Sequence, residues 1–212
     1  MSLIILDFGS GNTCRNDVYA ISDMIAALAK VDSRRHGHKI VIKWQLFEKA
    51  GDNIPLDRDN FWTFYQSAKE SGYETTASVF DIPSLKFLLQ FNDLPFIKIA
   101  NRRDLDYLIG LIPRQIPAII SVGPGTMTNM PYRENVKELF CVSKYPASIE
   151  DYEPYMHRIN GLSGISDHTT DFELWNIYKP EIIEWHYKLS HQTGLDAGPF
   201  ARTPEQLIEI IG

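Results

Sequence analysis

The sequence predicts an α/β fold, a compact (β/α)8 (TIM) barrel with shortened helices. Eight short β-branched or apolar runs follow one another along the 212 residues, and stretches with helical spacing lie between them. Each run also ends in polar or ionisable residues, as expected where strand ends meet at one mouth of a barrel. A doubly wound open sheet is the serious competitor, because it alternates strands and helices in the same way.

The predicted strands are short and spread over the whole chain. They cover residues 3–8, 40–47, 75–80, 96–100, 118–122, 139–143, 162–166 and 182–186. No long linker and no second hydrophobic block interrupts the alternation. We therefore expect residues 1–212 to form a single barrel domain.

Helices are predicted where apolar residues recur every three or four positions. This spacing is clear from Val18 to Leu28, from Phe61 to Ala68 and from Leu85 to Leu89. Shorter helices are expected around residues 103–111, 150–157, 171–178 and 207–211. The later part of the chain should thus carry the most reduced helical layer.

Two glycine-containing stretches follow predicted strands and need separate interpretation. Gly9-Ser10-Gly11-Asn12 lacks the full G-x-G-x-x-G spacing and opens no clean helix at once, so it is a weak dinucleotide signal. Gly123-Pro124-Gly125-Thr126 is more typical of a tight turn between strand and helix than of a binding loop.

The composition excludes several classes of protein. A hydrophobic share of 44% with 23% charged residues is ordinary for a globular protein and excludes a disordered or collagen-like chain. The formal net charge of -6 is spread without long runs of one sign, so neither nucleic acid nor membrane is expected as a partner. The basic cluster at residues 34–39 is interpreted as a solvated loop. Two cysteines, Cys14 and Cys141, and no run of eighteen apolar residues are typical of a cytoplasmic protein without disulfides.

Candidate functional groups lie at the ends of all eight predicted strands. They are Asp7, Lys43 with Gln45, Ser78, Lys98 with Asn101, Ser121, Ser143 with Tyr145, Ser166 with His168, and Glu184 with His186. The two-residue spacing within Lys43/Gln45, Ser166/His168 and Glu184/His186 places both members of each pair on one face of a strand. Inward polar pairs are costly unless a ligand, metal or partner charge satisfies them, so the ring predicts a binding site.

The chemistry of this ring suits a small, dense anion beside a metal. Lys43 and Lys98 supply two cations for a phosphate or carboxylate, and the serines supply charge-assisted hydrogen bonds. His168 and His186 would share the metal with a carboxylate, which makes a mixed nitrogen and oxygen site for manganese, zinc or iron. The candidate carboxylates are Asp7, Glu184 and Asp196. With open positions, such a site polarises a carbonyl.

The strand ends also lie in seven short motifs that cover essentially the whole chain. They are Ile42-Lys43-Trp44-Gln45-Leu46-Phe47, Ser78-Val79-Phe80-Asp81-Ile82, Phe96-Ile97-Lys98-Ile99-Ala100, Ile120-Ser121-Val122-Gly123, Cys141-Val142-Ser143-Lys144-Tyr145-Pro146, Ser166-Asp167-His168-Thr169 and Ile183-Glu184-Trp185-His186-Tyr187. In this order they resemble the barrel domain of the sialic acid (N-acetylneuraminate) synthase family. Members of that family condense phosphoenolpyruvate with an N-acetylated hexosamine.

The resemblance implies a cytoplasmic, metal-dependent synthase that joins C3 of phosphoenolpyruvate to the aldehyde carbon of an N-acetylmannosamine-like aldose. A metal-bound water then attacks C2, phosphate leaves by C–O cleavage, and a 2-keto-3-deoxy sugar acid results. His168 and His186 match the metal-binding histidines, for a divalent ion that is usually manganese, with magnesium, cobalt or zinc as alternatives. The implied catalytic residues are Asp7, Glu184 and Asp196. The implied substrate-binding residues are Lys43, Gln45, Ser78, Lys98, Asn101, Ser121, Ser143, Tyr145 and Ser166.

The sequence also departs from the family pattern. Asp7 is one methylene shorter than the family's glutamate, Asn101 replaces a serine, and Ala197 replaces a histidine. Gly11-Asn12 stands where an N-H motif is usual, and we expect the barrel without the family's antifreeze-like domain after Gly212. We therefore expect the metal and phosphoenolpyruvate half of the site to be kept and the sugar half to be altered. A homodimer or a separate lid protein is the expected partner.

Two other functions stay open at this point. A barrel with altered catalysis would bind an anionic metabolite or act as a scaffold. A different lyase or aldolase on the same fold would form a Schiff base on Lys43 or Lys98, which leaves the histidines without a role.

Overall fold

The computed structural model of the protein describes residues 2–31, 37–125 and 133–211. Eight parallel strands close into a barrel in sequence order, which confirms the (β/α)8 prediction and excludes the open sheet. The strands are β1 (Leu3–Asp7), β2 (Lys39–Leu46), β3 (Glu74–Val79), β4 (Ile97–Ile99), β5 (Ala118–Val122), β6 (Val136–Cys141), β7 (Gly164–Asp167) and β8 (Ile182–His186). The largest difference from the prediction is at β6, which begins earlier because the polar segment from Val136 also pairs with β5.

Helices follow most of the strands, and many are only one or two turns long. Those in the described ranges are α1 (Gly11–Cys14), α2 (Val18–Leu28), α3 (Arg58–Glu70), α4 (Ile82–Leu88), α5 (Asp106–Ile109), α6 (Ile149–Tyr152), α7 (Met156–Ile159), α8 (Glu173–Tyr178) and α9 (Pro204–Ile211). Asp17, Asp57 and Asp81 cap α2, α3 and α4, because each carboxylate accepts a hydrogen bond from a backbone N–H in the first turn. The one-turn helix α1 was not predicted, and Ser10 caps it.

The barrel has an apolar interior below a polar mouth. Six side chains form a small cluster inside the ring of strands: Ile5, Val41, Phe96, Ile119, Leu139 and Ile182. A larger apolar cluster, which includes Trp44, Phe61 and Trp185, packs between the strands and the helices. Because successive strand residues alternate in direction, the inward positions that follow the six-residue cluster bring the polar strand ends to the mouth.

The pairing of β7 with β8 depends on a glycine. A Cβ atom at Gly164 would lie 1.9 Å from the carbonyl oxygen of Ile182, so any side chain there would separate the strands. Of the two candidate metal-binding histidines, His168 follows directly on β7 and His186 is the last residue of β8. The close approach of the two strands that carry the histidines therefore requires a position without a side chain.

Three remaining expectations concern single segments. Cys14 and Cys141 are free and buried. In the described part of the chain, no helix is both long and apolar enough to cross a membrane. Residues 34–36 of the basic cluster and Thr126 of the second glycine stretch lie outside the described residues.

Candidate active site

The strand register places the polar side chains next to one another at the mouth. Asp7 on β1 is the register partner of both Lys43 on β2 and His186 on β8. Ser78 on β3 pairs with Lys98 on β4, and Ser166 on β7 pairs with Glu184 on β8. The predicted ring of strand ends is therefore one continuous surface.

Lys43 is almost completely buried and contacts three polar side chains. Its Nζ lies 2.6 Å from Oδ2 of Asp7 and 3.2 Å from Oε1 of Glu184, and it donates a hydrogen bond to Oγ of Ser78 at 2.9 Å. Burial by itself would lower the pKa of Lys43, but the two carboxylates raise that pKa above its ordinary value. Lys43 is thus a charged ammonium that already has Asp7, Glu184 and Ser78 as its polar partners.

Glu184 connects this lysine to the second one. Its Oε2 lies 2.9 Å from Nζ of Lys98, which also donates a hydrogen bond to Oγ of Ser121 at 2.7 Å. Burial would raise the pKa of Glu184, but Lys98 and Lys43 lower it to about 2. The sequence predicted two cations for an anion; it did not predict that one carboxylate of the protein holds both of them.

Asp7 completes a chain of four buried charges that sum to zero. Burial would raise the pKa of Asp7, but the Lys43 ammonium beside it lowers that pKa below the ordinary value. The two ammonium groups of Lys43 and Lys98 are balanced by Asp7 and Glu184. An anionic ligand therefore enters a site that has no net positive charge of its own.

Asp196 reaches the site from the loop after β8. Its Oδ2 accepts hydrogen bonds from the backbone N–H and the hydroxyl of Ser10, at 3.1 and 2.9 Å. Gln45 donates to Oδ2 of Asp7 at 2.9 Å and to Oδ1 of Asp196 at 3.3 Å, which links the two carboxylates.

The first glycine stretch, Gly9-Ser10-Gly11-Asn12, has a different role from the dinucleotide binding for which the sequence was a weak signal. Gly9 has a φ of 77°, and a Cβ there would lie 2.7 Å from Cβ of Asp196. The N–H of Gly9 donates to Asp7, and that of Ser10 donates to Asp196. These backbone donors therefore hold carboxylates of the protein itself.

His168 and His186 lie side by side, with ring centroids 5.5 Å apart. Nδ1 of His168 is 2.8 Å from the carbonyl oxygen of Val142. Since a carbonyl can only accept, Nδ1 carries the proton and Nε2 keeps the lone pair that a metal requires. Burial lowers the pKa of His168 to about 3, and His186 contributes to the shift, so the imidazole is neutral. Nδ1 of His186 is buried without a hydrogen-bond partner in the described part of the chain, and Oδ2 of Asp7 lies 3.9 Å away.

The two histidines fit a divalent metal by the type of their donor atoms. In residues 2–31, 37–125 and 133–211, no group of three or more His, Cys, Asp and Glu side chains converges as a metal site. The sequence predicted a carboxylate beside the histidines, but Asp7, Glu184 and Asp196 are engaged by lysine, glutamine and serine. The protein thus offers two imidazole nitrogens, and the remaining positions would fall to water and substrate oxygens.

An aromatic wall flanks the histidines. The ring centroid of Tyr145 lies 4.1 Å from that of His168, and Phe200 lies 5.0 Å from His186 and 5.2 Å from Tyr145. Tyr145 is half exposed, so its outer face is open to a ligand. Phe200 was not predicted, because it follows no strand and has no motif.

The other predicted residues occupy two different depths. Asn101 donates a hydrogen bond to Oγ of Ser143 at 3.1 Å, and Ser143 is exposed, so this pair lies at the rim. Ser166 is buried on β7, where its register partners are Cys141 and Glu184. Ser166 therefore lies on the floor of the site.

Comparison with known families identifies the proteins that this chain is similar to. The NeuB family matches residues 19–212. The chain belongs to the NeuB family. Its membership confirms the resemblance to sialic acid synthases that the motifs carried, over nearly the whole barrel.

Solved structures similar to this NeuB-family chain have the same fold at low identity. N-acetylneuraminic acid synthetase from Leptospira borgpetersenii serovar Hardjo-bovis, in complex with citrate, is 20% identical with a TM-score of 0.77, covering 98% of this chain and 80% of that one. The putative spore coat polysaccharide biosynthesis protein E of Chromobacterium violaceum is 18% identical with a TM-score of 0.79, covering 99% and 72%. The Bacillus subtilis spore coat polysaccharide biosynthesis protein spsE is 19% identical with a TM-score of 0.75, covering 99% and 66%. No curated protein matches the chain significantly.

Proposed function

We propose that this chain is a phosphoenolpyruvate-condensing sugar synthase, a transferase that acts on an aldose of the N-acetylmannosamine type. The products are a 2-keto-3-deoxy, sialic-acid-like sugar acid and phosphate. The observation that carries the proposal is the buried chain Lys98–Glu184–Lys43–Asp7 beside two neighbouring histidines, in a barrel of the NeuB family.

The lysines bind the phosphate and carboxylate of phosphoenolpyruvate in this proposal. Each lysine already donates to a serine, Lys43 to Ser78 and Lys98 to Ser121, so the serines keep both ammonium groups pointing into the mouth. An incoming anion replaces the oxygens of Glu184 at Nζ of the two lysines. The released Glu184 carboxylate then lies next to the reacting carbons, where it is placed to accept the proton lost by the water that attacks C2 of phosphoenolpyruvate.

A divalent ion, manganese in the first instance with magnesium, cobalt or zinc as alternatives, is proposed to bind His168 and His186. The neutral imidazole of His168 supports this part, as does Nδ1 of His186, which has no hydrogen-bond partner among the described residues. When bound, the ion supplies Lewis acidity to the aldehyde oxygen. It also adds the positive charge that the balanced network of lysines and carboxylates lacks.

The acceptor aldose is proposed to contact the side of the mouth near β1 and β2. Asp7, Gln45 and Asp196 form a connected polar surface there, with oxygen acceptors and amide donors suited to hydroxyl groups. Tyr145 and Leu195 are 52% and 64% exposed to solvent. We propose that a second copy of the chain or a separate lid protein covers these residues.

Phosphate release from phosphoenolpyruvate, measured with manganese over a panel of aldoses, tests the function. The expected result is release that depends on one class of aldose and is abolished by a chelator and by Lys98→Met. Lys137→Met is the matched control, because Lys137 pairs with Glu181 on the exposed surface. No release with any aldose, together with no phosphoenolpyruvate binding by calorimetry, would overturn the proposal in favour of a scaffold.

A further inference from the structure

Asp167 lies between Ser166 and His168 and is completely buried. Its carboxylate accepts four hydrogen bonds, which saturate it. Oδ1 accepts from the backbone N–H and the hydroxyl of Thr169, both at 2.8 Å. Oδ2 accepts from Nε1 of Trp185 at 2.8 Å and from Nη2 of Arg202 at 3.1 Å.

The bond from Thr169 N–H to Asp167 closes a turn around the residue between them. That residue is His168, so the carboxylate of Asp167 fixes the backbone on both sides of the candidate metal ligand. The opposite edge of the turn is held by Tyr152, whose hydroxyl accepts from the N–H of His168 at 3.3 Å. The direction of the His168 ring follows from this turn and from its contact with Val142.

Arg202 is the charged partner of Asp167, and its side chain is wholly buried. The guanidinium lies over the ring of Phe172, 4.6 Å from the centroid, and also donates to Thr169 and to the carbonyl of Asp171. It therefore packs against Phe172 on one face and contacts the carboxylate of Asp167 and the turn with its edge. The three hydrogen bonds are all donated by Nη2, while the planar guanidinium lies flat over Phe172, a contact that the tetrahedral ammonium of a lysine does not reproduce.

The main chain of Arg202 reaches the other histidine. Its N–H donates to the carbonyl oxygen of His186 at 2.7 Å, and its own carbonyl accepts from Lys188 at 3.0 Å. Arg202 thus extends the strand pairing beyond β8 and closes the loop that carries Asp196 and Phe200. One residue contacts the surroundings of His168 through its side chain and those of His186 through its backbone.

We propose that Arg202, through its ion pair with Asp167, is a positioning residue that sets His168 and His186 at the separation a divalent cation requires. This inference rests on the proposed function only in so far as the two histidines bind a cation. It assigns Asp167, Thr169 and Trp185 to the same group of supporting contacts, none of which touches Lys43 or Lys98.

A purely structural ion pair would give a different pattern of effects. Removing one partner of a buried pair lowers stability, but it leaves ligand affinity intact in the molecules that stay folded. Removing a group that orients a metal ligand typically weakens metal binding 10- to 100-fold, roughly, at unchanged folding. The two cases are therefore separated by metal affinity measured well below the unfolding temperature.

The experiment compares manganese and inorganic phosphate binding to the full chain and three variants. Arg202→Lys keeps the charge but loses the planar group over Phe172 and the shared Nη2 contacts, and it is expected to weaken manganese binding roughly 10- to 100-fold, while phosphate binding at the lysines is unchanged. Thr169→Val removes only the hydroxyl between Arg202 and Asp167, and it is expected to weaken manganese binding to a smaller extent. Electron paramagnetic resonance of free manganese and calorimetry with phosphate provide the two readouts.

Arg133→Lys is the matched control. Its guanidinium donates to the carbonyl oxygens of Ile112, Pro113 and Ile116, before the start of β6 and away from the mouth. This variant is expected to lose stability without a change in manganese affinity. Arg202→Lys is expected to lose both.

Each outcome bears on the inference. The positioning role of Arg202 would be overturned if folded Arg202→Lys bound manganese with wild-type affinity and lost only stability. If Arg202→Lys does not fold, an unchanged manganese affinity in Thr169→Val would overturn that role instead. Wild-type protein that binds no manganese would also overturn it. In that case, aldose-dependent phosphate release without added metal would leave the proposed condensation standing, whereas its absence would remove that proposal too.

Discussion

Glu184 and Lys98 form an ion pair of 2.9 Å in which both side chains are almost completely buried. The other oxygen of Glu184 contacts Lys43, so the carboxylate occupies the position of a bridging anion. A phosphate that binds these lysines must therefore compete with a group of the protein. Without a ligand, the charges of the site are therefore balanced by Glu184. The competition between Glu184 and phosphate can be measured as a change in phosphate affinity.

Glu184→Gln is expected to strengthen the binding of inorganic phosphate. Replacing the carboxylate by an amide removes the competing charge but keeps the shape of the side chain. The expected gain is roughly tenfold in the dissociation constant, which corresponds to about 1.4 kcal/mol. Calorimetry with phosphate measures it, and Glu181→Gln, which alters an exposed glutamate paired with Lys137, is the control. Equal or weaker binding in Glu184→Gln would contradict the competition.

The lowered pKa of Glu184 also predicts that the stability of the protein depends on pH. The pKa of Glu184 is lowered from its ordinary value of 4.5 to about 2 in the folded protein, so its ionisation stabilises the fold above pH 4.5. That contribution is lost as the pH falls from 4.5 through about 2. Glu184→Gln should thus be less stable than wild type by about 3 kcal/mol at pH 7, since Lys98 loses its carboxylate partner and Lys43 keeps only Asp7.

Urea unfolding of both proteins at several pH values checks the prediction. The difference in the free energy of unfolding should narrow below pH 4.5, because wild type also loses the ion pairs there. A difference that stays constant from pH 7 to pH 3 would show that Glu184 does not titrate as the buried ion pairs require.

Manganese binding should be lost in the double variant His168→Ala, His186→Ala. The two imidazoles are the only nitrogen donors proposed for the metal, and alanine removes both without adding a new ligand. Metal content after dialysis against manganese measures the loss, with His157→Ala as control, because His157 is exposed on α7. Retention of manganese by the double variant would place the metal elsewhere.

No Schiff base is expected on either lysine. The pKa of Lys43 is raised, which keeps the amine protonated, and Lys98 is paired with Glu184. A protonated amine is a poor nucleophile for a carbonyl. Mass spectrometry after incubation with pyruvate and borohydride should therefore show unmodified protein. A stable adduct on Lys43 or Lys98 would support the aldolase alternative instead.

The sequence alone predicted all eight strands and the polar residue at the end of each. This was possible because strand periodicity and β-branched composition are local properties, and because parallel strands in a barrel must bring their carboxyl ends to one mouth. Lys43, Lys98, His168, His186 and Glu184 were located in this way. The one-turn helix α1 was missed, since four residues leave no periodic signal.

Tertiary structure alone decided how these groups are connected. Ser10 and Asp196 are 186 positions apart in the sequence, and only the return of the loop after β8 brings them into contact. Likewise, Arg202 reaches Asp167 because its own backbone pairs beyond β8. Strand ends are determined by local sequence, whereas the partner of each charge depends on barrel closure and on the path of the loops. The sequence therefore determined which residues lie at the mouth, and the fold determined that Glu184 holds both lysines.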